Sequence, residues 1–143
     1  MLKGSLPEVF LDTVVSFDII SKRGPHFAHA VKLLEFTARD KIALLILESS
    51  LTNLIYLSVD IYKLPEAVPR PLDFIGVCEI VSGGKVVMME ALASNFKDKE
   101  DALQYYTALQ HVADYFLTRN IKDYRLSSPL LPVFSPLEFF SNM

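Results

Sequence analysis

The sequence predicts an α/β fold with a short, mainly parallel central sheet, formed by a single domain over residues 1–143. Short apolar runs of strand length alternate along the chain with longer segments of helical period. The run Ile42–Leu47 is apolar at every position, which is typical of a strand buried on both faces of a parallel sheet. The connections between the runs are long enough to hold helices, and such connections favour parallel neighbours.

The first predicted strand is Val9–Leu11, and Thr13 can cap a helix that follows it to about Ser21. Apolar positions at helical spacing then indicate a second helix, which Pro25 can start and Asp40 can end. This first third of the sequence therefore predicts one strand and two helices.

The middle third begins with the apolar strand described above and continues as a helix that Ser49 or Ser50 can cap. Regular structure is expected to end at three prolines, because Pro65, Pro69 and Pro71 together are typical of a loop. The segment after them predicts a short edge strand at Glu79–Val81, then a glycine turn and another helix.

The last third opens with four charged residues, Asp98–Asp101, which predict the start of a helix because acidic groups suit the positive end of a helix dipole. Tyr115–Leu117 predicts a compact strand, and Leu130–Phe134 predicts a final short one. A helical turn at Leu137–Phe140 completes the predicted fold.

Composition excludes several classes of protein. The chain is 51% hydrophobic and 22% charged, which predicts a folded domain and not a disordered one. Cys78 is the only cysteine, so no internal disulfide is possible and a reducing cytoplasm is expected. No membrane span is expected, because Glu48 and several polar residues interrupt the most apolar segment, Ile42–Val59. A net charge of −3 argues against nonspecific adhesion to nucleic acid, but it is compatible with carboxylates around a cation.

Polar side chains follow three of the predicted strands at the points where they end. Asp12 follows the first strand, Glu48 follows the second, and Thr118, Arg119 and Asn120 follow the strand at residues 115–117. The carboxyl ends of parallel strands share one edge of a sheet, so these groups are expected to lie together with the acidic start of the helix at Asp98. Because gathered carboxylates repel one another, a divalent ion such as Mg²⁺ is the ligand expected there.

Simpler structural roles explain part of this pattern. Asp98 can act as a helix N-cap alone, with Asp101 at the third helical position. Asp12 can act as a capping or turn residue. A carboxylate directly after a buried strand is nevertheless costly unless it is paired or coordinated, which favours a functional role for Asp12.

Five segments are the most distinctive strings of the chain: FLDT at 10–13, EDALQYYTA at 100–108, ADYFLTRNIKDY at 113–124 and PLEFF at 136–140, together with LTNLIY at 51–56. In these segments the sequence resembles the PIN-domain family. The similarity extends over nearly the whole chain and is weakest at residues 65–89. It implies a three-layer α/β/α fold and the chemistry of a metal-dependent ribonuclease, most often the toxin of a VapC-type toxin–antitoxin pair.

The resemblance also implies site residues. The metal-binding aspartates of the family fall on Asp12 and Asp101, and its two other acidic positions fall on Asn53 and Asn120. Further carboxylates can come from nearby residues, which are Asp123, Glu48 and Asp98. On this basis, Mg²⁺ or Mn²⁺ is expected on the two aspartates, with Asn53, Asn120 and Asp123 completing the site partly through water.

Supporting roles follow from the same comparison. Thr13 and Thr118 match the family's hydroxyls that support the metal site. Basic residues close to the same edge, which are Arg119, Lys122 and Arg125, can hold RNA phosphates or can be ordinary surface charges.

Two departures from the family pattern leave a second function open. Val14 stands where the family usually has asparagine, and the two asparagines replace acidic residues, which weakens the expected hold on a cation. The alternative is a degenerate PIN-like module that binds RNA or protein without cleaving it. A flavodoxin-like receiver domain fits less well, because no aspartate follows the predicted strand at Glu79–Val81.

The resemblance implies RNA as the substrate, a small antitoxin protein as a possible partner and a homodimer as the assembly. Leu137, Phe139 and Phe140 form an apolar group near the end of the chain that can serve as a dimer or partner surface.

Overall fold

The computed structural model describes residues 6–22, 24–124 and 128–142. Its centre is a sheet of five parallel strands, with helices on both faces. The strands are β1 (Glu8–Leu11), β2 (Ala43–Leu47), β3 (Cys78–Val81), β4 (Tyr115–Leu117) and β5 (Val133–Phe134). The predicted α/β class and its parallel pairing are confirmed, and every pairing in the sheet is parallel.

The spatial order of the strands is β3-β2-β1-β4-β5. The chain builds the sheet outward from β1 to β3 and then crosses back to place β4 on the other side of β1. In open parallel sheets, a reversal of this kind leaves a crevice at the carboxyl ends of the two strands beside it. Here those strands are β1 and β4, which Asp12 and Thr118 follow directly.

The helices divide between the two faces. They are α1 (Thr13–Ser21), α2 (Phe27–Ala38), α3 (Glu48–Tyr56), α4 (Pro69–Val77), α5 (Gly84–Ala93), α6 (Lys99–Gln110) and α7 (Pro136–Ser141), with a π-helical turn at Leu57–Ile61 and a 3₁₀ turn at Ile121–Tyr124. Alternate residues of each strand point to opposite faces, so Val9 and Leu11 pack under α1 to α4, whereas Phe10 packs under α5 and α6. The sheet is thus covered on both sides, as a parallel sheet requires.

The prolines after α3 do not mark a continuous loop, contrary to the sequence prediction. Pro69 is the first residue of α4 and Pro71 lies in its first turn. The first turn of a helix has no acceptors for its N–H groups, so proline costs no hydrogen bond there and its fixed φ suits the helix. The prolines therefore start a helix where we expected regular structure to end.

The residues predicted to cap the N-termini of α1 and α3 were also wrong. Asp12, and not Thr13, is the N-cap of α1, because its side chain accepts the Val15 N–H. The helix α3 begins at Glu48, directly after β2, so Ser49 and Ser50 lie inside its first turn.

The C-terminal apolar group is mostly part of the core. Phe139 is buried, and Phe140 packs edge-on against Phe36 of α2 with 4.9 Å between the ring centroids. Only Leu137 is exposed among these predicted surface residues. Across the described ranges, no helix has the length and apolar character needed to cross a membrane.

Candidate functional site

Asp12 lies at the carboxyl end of β1 and is 3% exposed. Its Oδ1 accepts a hydrogen bond from the Val15 N–H at 2.8 Å, which caps α1. Burial raises the pKa of the Asp12 carboxyl to about 6, and the Thr118 hydroxyl and the Val15 N–H only partly offset that rise. The negative charges of Asp101 and Asp18 raise this pKa further. Asp12 is therefore a buried carboxylate whose charge the fold does not fully compensate.

Thr118 holds the neighbouring strand end. Thr118 is buried, and a hydrogen bond from its hydroxyl lowers the pKa of the Asp12 carboxyl. The same hydroxyl oxygen accepts a hydrogen bond from the Asn120 N–H at 3.0 Å. The β1 and β4 ends are joined directly by a hydrogen bond of 3.1 Å from the Asp12 N–H to the Leu117 carbonyl. These contacts fix the β4 end beside Asp12 and place exposed Asn120 at the same edge.

The second predicted metal ligand, Asp101, lies in the first turn of α6. Partial burial raises the pKa of its carboxyl to about 6, and the charges of Asp98, Asp123 and Glu100 raise it further, whereas Tyr124 lowers it. A helix N-terminus normally favours the ionised form of a carboxyl group. The raised pKa of Asp101 therefore reflects its partial burial first and the negative charges around it second.

Asp98 has the capping role that we considered for it. Its Oδ1 accepts the Glu100 N–H at 2.9 Å and the Asp101 N–H at 3.1 Å. The exposed Asp98 side chain therefore also fixes the backbone that carries Asp101.

A network of three side chains connects α1, α3 and α6 behind the two aspartates. The Thr13 N–H donates to Gln104 Oε1 at 2.9 Å, and the Thr13 hydroxyl donates to Ser50 Oγ at 2.8 Å. Gln104 and Ser50 are both buried. We did not predict a site role for either, although Gln104 follows Asp101 by three positions and so shares its helix face.

Tyr124 is a further residue that sequence reasoning missed. Its side chain is 2% exposed, and its hydroxyl has no hydrogen-bond partner of normal geometry among the described residues. Burial raises the pKa of the Tyr124 hydroxyl, and the nearby carboxylates of Asp12 and Asp101 raise it further. No simple sequence pattern signals this residue, because the aromatic side chains near it are ordinary core.

The remaining predicted residues surround these groups. Asn53 of α3 is exposed, and its Nδ2 donates to Glu100 Oε1 at 3.3 Å, which places it against the first turn of α6. Glu48 is exposed at the start of α3. A cleft of about 480 Å³ opens beside Asp101 and is lined by Asn95, Phe96, Lys97, Asp98, Asp101, Lys122 and Asp123. The structure thus brings Asp123 and Lys122 to the same cleft as Asp101.

Arg119 forms an ion pair that the sequence did not predict. Its Nε lies 2.8 Å from Asp18 Oδ2, and its Nη2 lies 3.3 Å from Asp18 Oδ1. Asp18 is 8% exposed, so this two-point contact holds the guanidinium against α1. Arg125, also considered for phosphate binding, lies outside the described residues.

The residues at this edge are compatible with a hydrated divalent cation. Within the described residues, no Lys or Arg forms an ion pair with Asp12 or Asp101, and no three His, Cys, Asp or Glu side chains gather into a complete metal site. Mg²⁺ usually binds through one or two carboxylates and keeps several waters, so two uncompensated aspartates suit it. The unpartnered Tyr124 hydroxyl adds a polar group turned toward the same place.

Comparisons with known proteins agree with this architecture. The family model described as PIN domain matches residues 8–122. Ribonuclease VapC1 of Aquifex aeolicus (strain VF5) is 28% identical in an alignment over 137 residues that covers 92% of this chain and 92% of that protein.

Solved structures share the fold. The crystal structure of VapBC2 from Rickettsia felis bound to a DNA fragment from their promoter is similar at a TM-score of 0.66 and 20% identity, over 90% of this chain and 98% of that one. A toxin-antitoxin complex from Klebsiella pneumoniae gives a TM-score of 0.64 and 22% identity, over 90% and 97% of the two chains.

Proposed function

The chain belongs to the PIN-domain family, and from that premise we propose that it is a divalent-metal-dependent ribonuclease of the VapC type. The observation that carries the proposal is the pair Asp12 and Asp101. The pKa of each carboxyl is raised to about 6. The charge of Asp101 raises the pKa of Asp12, and both charges raise the pKa of the neighbouring Tyr124 hydroxyl. Neither aspartate has a cationic partner within the described residues. Perturbed acids in a cleft are typical of catalytic sites.

In this proposal Asp12 and Asp101 hold Mg²⁺ or Mn²⁺. Asn53, Asn120 and Asp123, which border the same edge, complete the site partly through water. When bound, the cation would activate water for attack on an RNA phosphodiester and offset the charge that develops on the phosphate.

The other residues position these groups. Asp98 fixes the backbone of Asp101, and Thr118 fixes Asp12, as their hydrogen bonds indicate. Thr13 ties α1 to α6 through Gln104. Because the two aspartates come from elements far apart in the chain, their separation depends on these contacts. Glu48, exposed on the same edge, is proposed as a supporting carboxylate.

Lys122 is proposed to bind RNA phosphate, because it is exposed in the cleft beside Asp101. Arg119 is proposed for the same task in a fixed orientation, since Asp18 occupies its Nε and Nη2 and the side chain remains one-third exposed.

The proposal extends to a toxin role with a small antitoxin partner and a homodimeric assembly. The relatives with solved structures are toxin–antitoxin complexes. This chain exposes a row of large apolar residues from α3 into the π-helical turn, which are Ile55, Tyr56, Val59, Ile61 and Tyr62. Such an apolar row is typical of a protein-binding surface. Light scattering of the purified chain, alone and with the product of a neighbouring small gene, tests both assemblies.

The central test combines RNA cleavage with metal binding. Asp12→Asn and Asp101→Asn are expected to reduce cleavage of a structured RNA in Mn²⁺ by about 100-fold or more, and to weaken Mn²⁺ binding in calorimetry. Asp73→Asn, which changes an exposed aspartate of α4, is the matched control and should leave both unchanged.

Two results would contradict the proposal. Unchanged cleavage by Asp12→Asn would remove the assigned site. A wild-type protein that binds RNA but neither binds millimolar Mn²⁺ nor cleaves would identify the chain as the non-catalytic module considered above.

A further inference from the structure

The Tyr124 hydroxyl is a buried polar group whose position packing alone does not explain. The ring packs against Phe116, Phe96 and Tyr105, with ring centroids 4.9, 5.7 and 5.9 Å away. A phenylalanine ring would make the same contacts without burying an oxygen. Among the described residues, that oxygen has no partner of normal hydrogen-bond geometry, and an unmade hydrogen bond of this kind opposes folding.

The ring's neighbours place Tyr124 beside α6, which carries Asp101, and beside β4, which pairs with β1 and ends next to Asp12. Tyr105 lies one helical turn after Asp101 on the same face of α6, and Phe116 lies two positions before Thr118 on β4. The electrostatics agree with this placement. The Tyr124 hydroxyl lowers the pKa of the Asp101 carboxyl, and the charges of Asp101 and Asp12 both raise the pKa of the hydroxyl.

We propose that Tyr124 is a positioning residue that donates a hydrogen bond to the ionised Asp101 carboxylate and so orients its oxygens for a divalent cation. The inference rests on the proposed function and deepens it. A carboxylate has two oxygens with several lone pairs, so one donor can fix its rotation while the remaining lone pairs bind the ion. Groups that orient a ligand in this way commonly change metal affinity by about 10-fold to 100-fold.

Tyr105 provides a contrast within the same aromatic cluster. Its hydroxyl donates to the Leu131 carbonyl at 2.8 Å and accepts the Ser128 N–H at 2.7 Å. Those backbone contacts hold the 128–131 segment and give this hydroxyl a structural role. The two tyrosines therefore allow the loss of a positioning hydroxyl to be compared with the loss of a structural one.

The experiment compares Tyr124→Phe with Tyr105→Phe in the full chain. Tyr124→Phe is expected to keep or raise the melting temperature and to weaken Mn²⁺ binding in calorimetry by about 10-fold. Its kcat for RNA should fall while the KM stays the same, because the substituted group does not contact RNA. Tyr105→Phe is expected to lower the melting temperature and to leave Mn²⁺ affinity unchanged.

Two outcomes would overturn the inference. Mn²⁺ affinity equal to that of the wild type in Tyr124→Phe would exclude a positioning role, even if cleavage had changed. Equal weakening in both variants would assign the effect to loss of packing. Failure of the proposed function is distinguishable from both, because the wild-type protein itself would then bind no Mn²⁺ and cleave no RNA.

Discussion

Two helices of this protein begin at an aspartate cap, and the surroundings of the two caps differ. Asp12 caps α1 at the end of β1 and is 3% exposed, whereas Asp98 caps α6 from an exposed position. Each accepts hydrogen bonds from backbone N–H groups of the first turn. Burial raises the pKa of the Asp12 carboxyl to about 6.

The comparison shows that capping a helix does not use the whole carboxylate of an aspartate. The caps of both helices use a single Oδ1 atom, so capping leaves the second oxygen of Asp12 available. In water that oxygen would be solvated, but in the crevice between β1 and β4 the charge of the carboxylate needs compensation beyond the Thr118 hydroxyl. Capping and metal binding are thus compatible for Asp12, and we had treated them as alternatives.

The largest expected effect concerns metal affinity as a function of pH. The pKa of each of the two carboxyls, Asp12 and Asp101, is raised to about 6, so protons compete with Mn²⁺ for both below that pH. We expect the Mn²⁺ affinity to fall by about 100-fold from pH 7 to pH 5, since each group is then about nine-tenths protonated. Calorimetry at both pH values measures it.

Variants of the two caps sharpen that result. Asp12→Asn should make the pH dependence of Mn²⁺ affinity shallower, because one of the two competing protons is removed. Asp98→Asn should keep the dependence close to that of the wild type. A pH-independent affinity in the wild-type protein would contradict the assignment of both aspartates as ligands.

A second prediction concerns stability without metal. The pKa of about 6 for Asp12 in the folded state lies above the ordinary aspartate value of 3.8, so the folded state holds more protons between these values and loses stability as pH rises through that window. At pH 7 the penalty is complete, and Asp12→Asn, which can still cap α1, should raise the free energy of unfolding by about 2–3 kcal/mol. Urea denaturation at pH 7 and pH 4 measures this.

The gain should disappear near pH 4, where Asp12 is protonated in the folded protein. Asp98→Asn serves as the control, because an exposed cap carries no such penalty. Stabilisation of equal size at both pH values would mean that burial of the Asp12 charge is not its cause.

The smallest expected effect belongs to the exposed cap. Asp98→Ala removes two hydrogen bonds to the first turn of α6 and should lower the free energy of unfolding by about 1 kcal/mol. Mn²⁺ affinity should change by less than about 3-fold, because the Asp98 side chain only assists the backbone hydrogen bonds of α6 that also hold Asp101. A loss comparable to that of Asp12→Asn would show that Asp98 itself binds the ion.

The sequence predicted most of the sheet because β2, β4 and β5 are continuous apolar runs and β1 ends in one, Val9–Leu11. It also predicted the edge at which Asp12 and Asn120 lie, since parallel topology alone brings the strand ends together. The helix α4 escaped prediction because proline at the start of a helix and proline in a loop look alike in sequence.

The contacts around the site were harder to predict. The Arg119 ion pair with Asp18 joins residues 101 positions apart, and no local pattern signals it. The position of the Tyr124 hydroxyl is equally hard to predict from sequence, because it depends on the side of the core that the ring packs against. Sequence reasoning therefore predicted the edge at the strand ends and the hydroxyl of Thr118 beside Asp12, but not the side chains of Gln104 and Tyr124.

The return of the chain from β3 to β4 has a consequence for biosynthesis. The strand β1 can pair with β2 soon after both leave the ribosome, but its other neighbour is distant, as the bond between Glu8 and Asp114 across 106 positions illustrates. Until β4 arrives, Asp12 lacks Thr118 and faces open water. A growing chain, or one truncated before Tyr115, therefore carries Asp12 without the strand that completes the crevice around it.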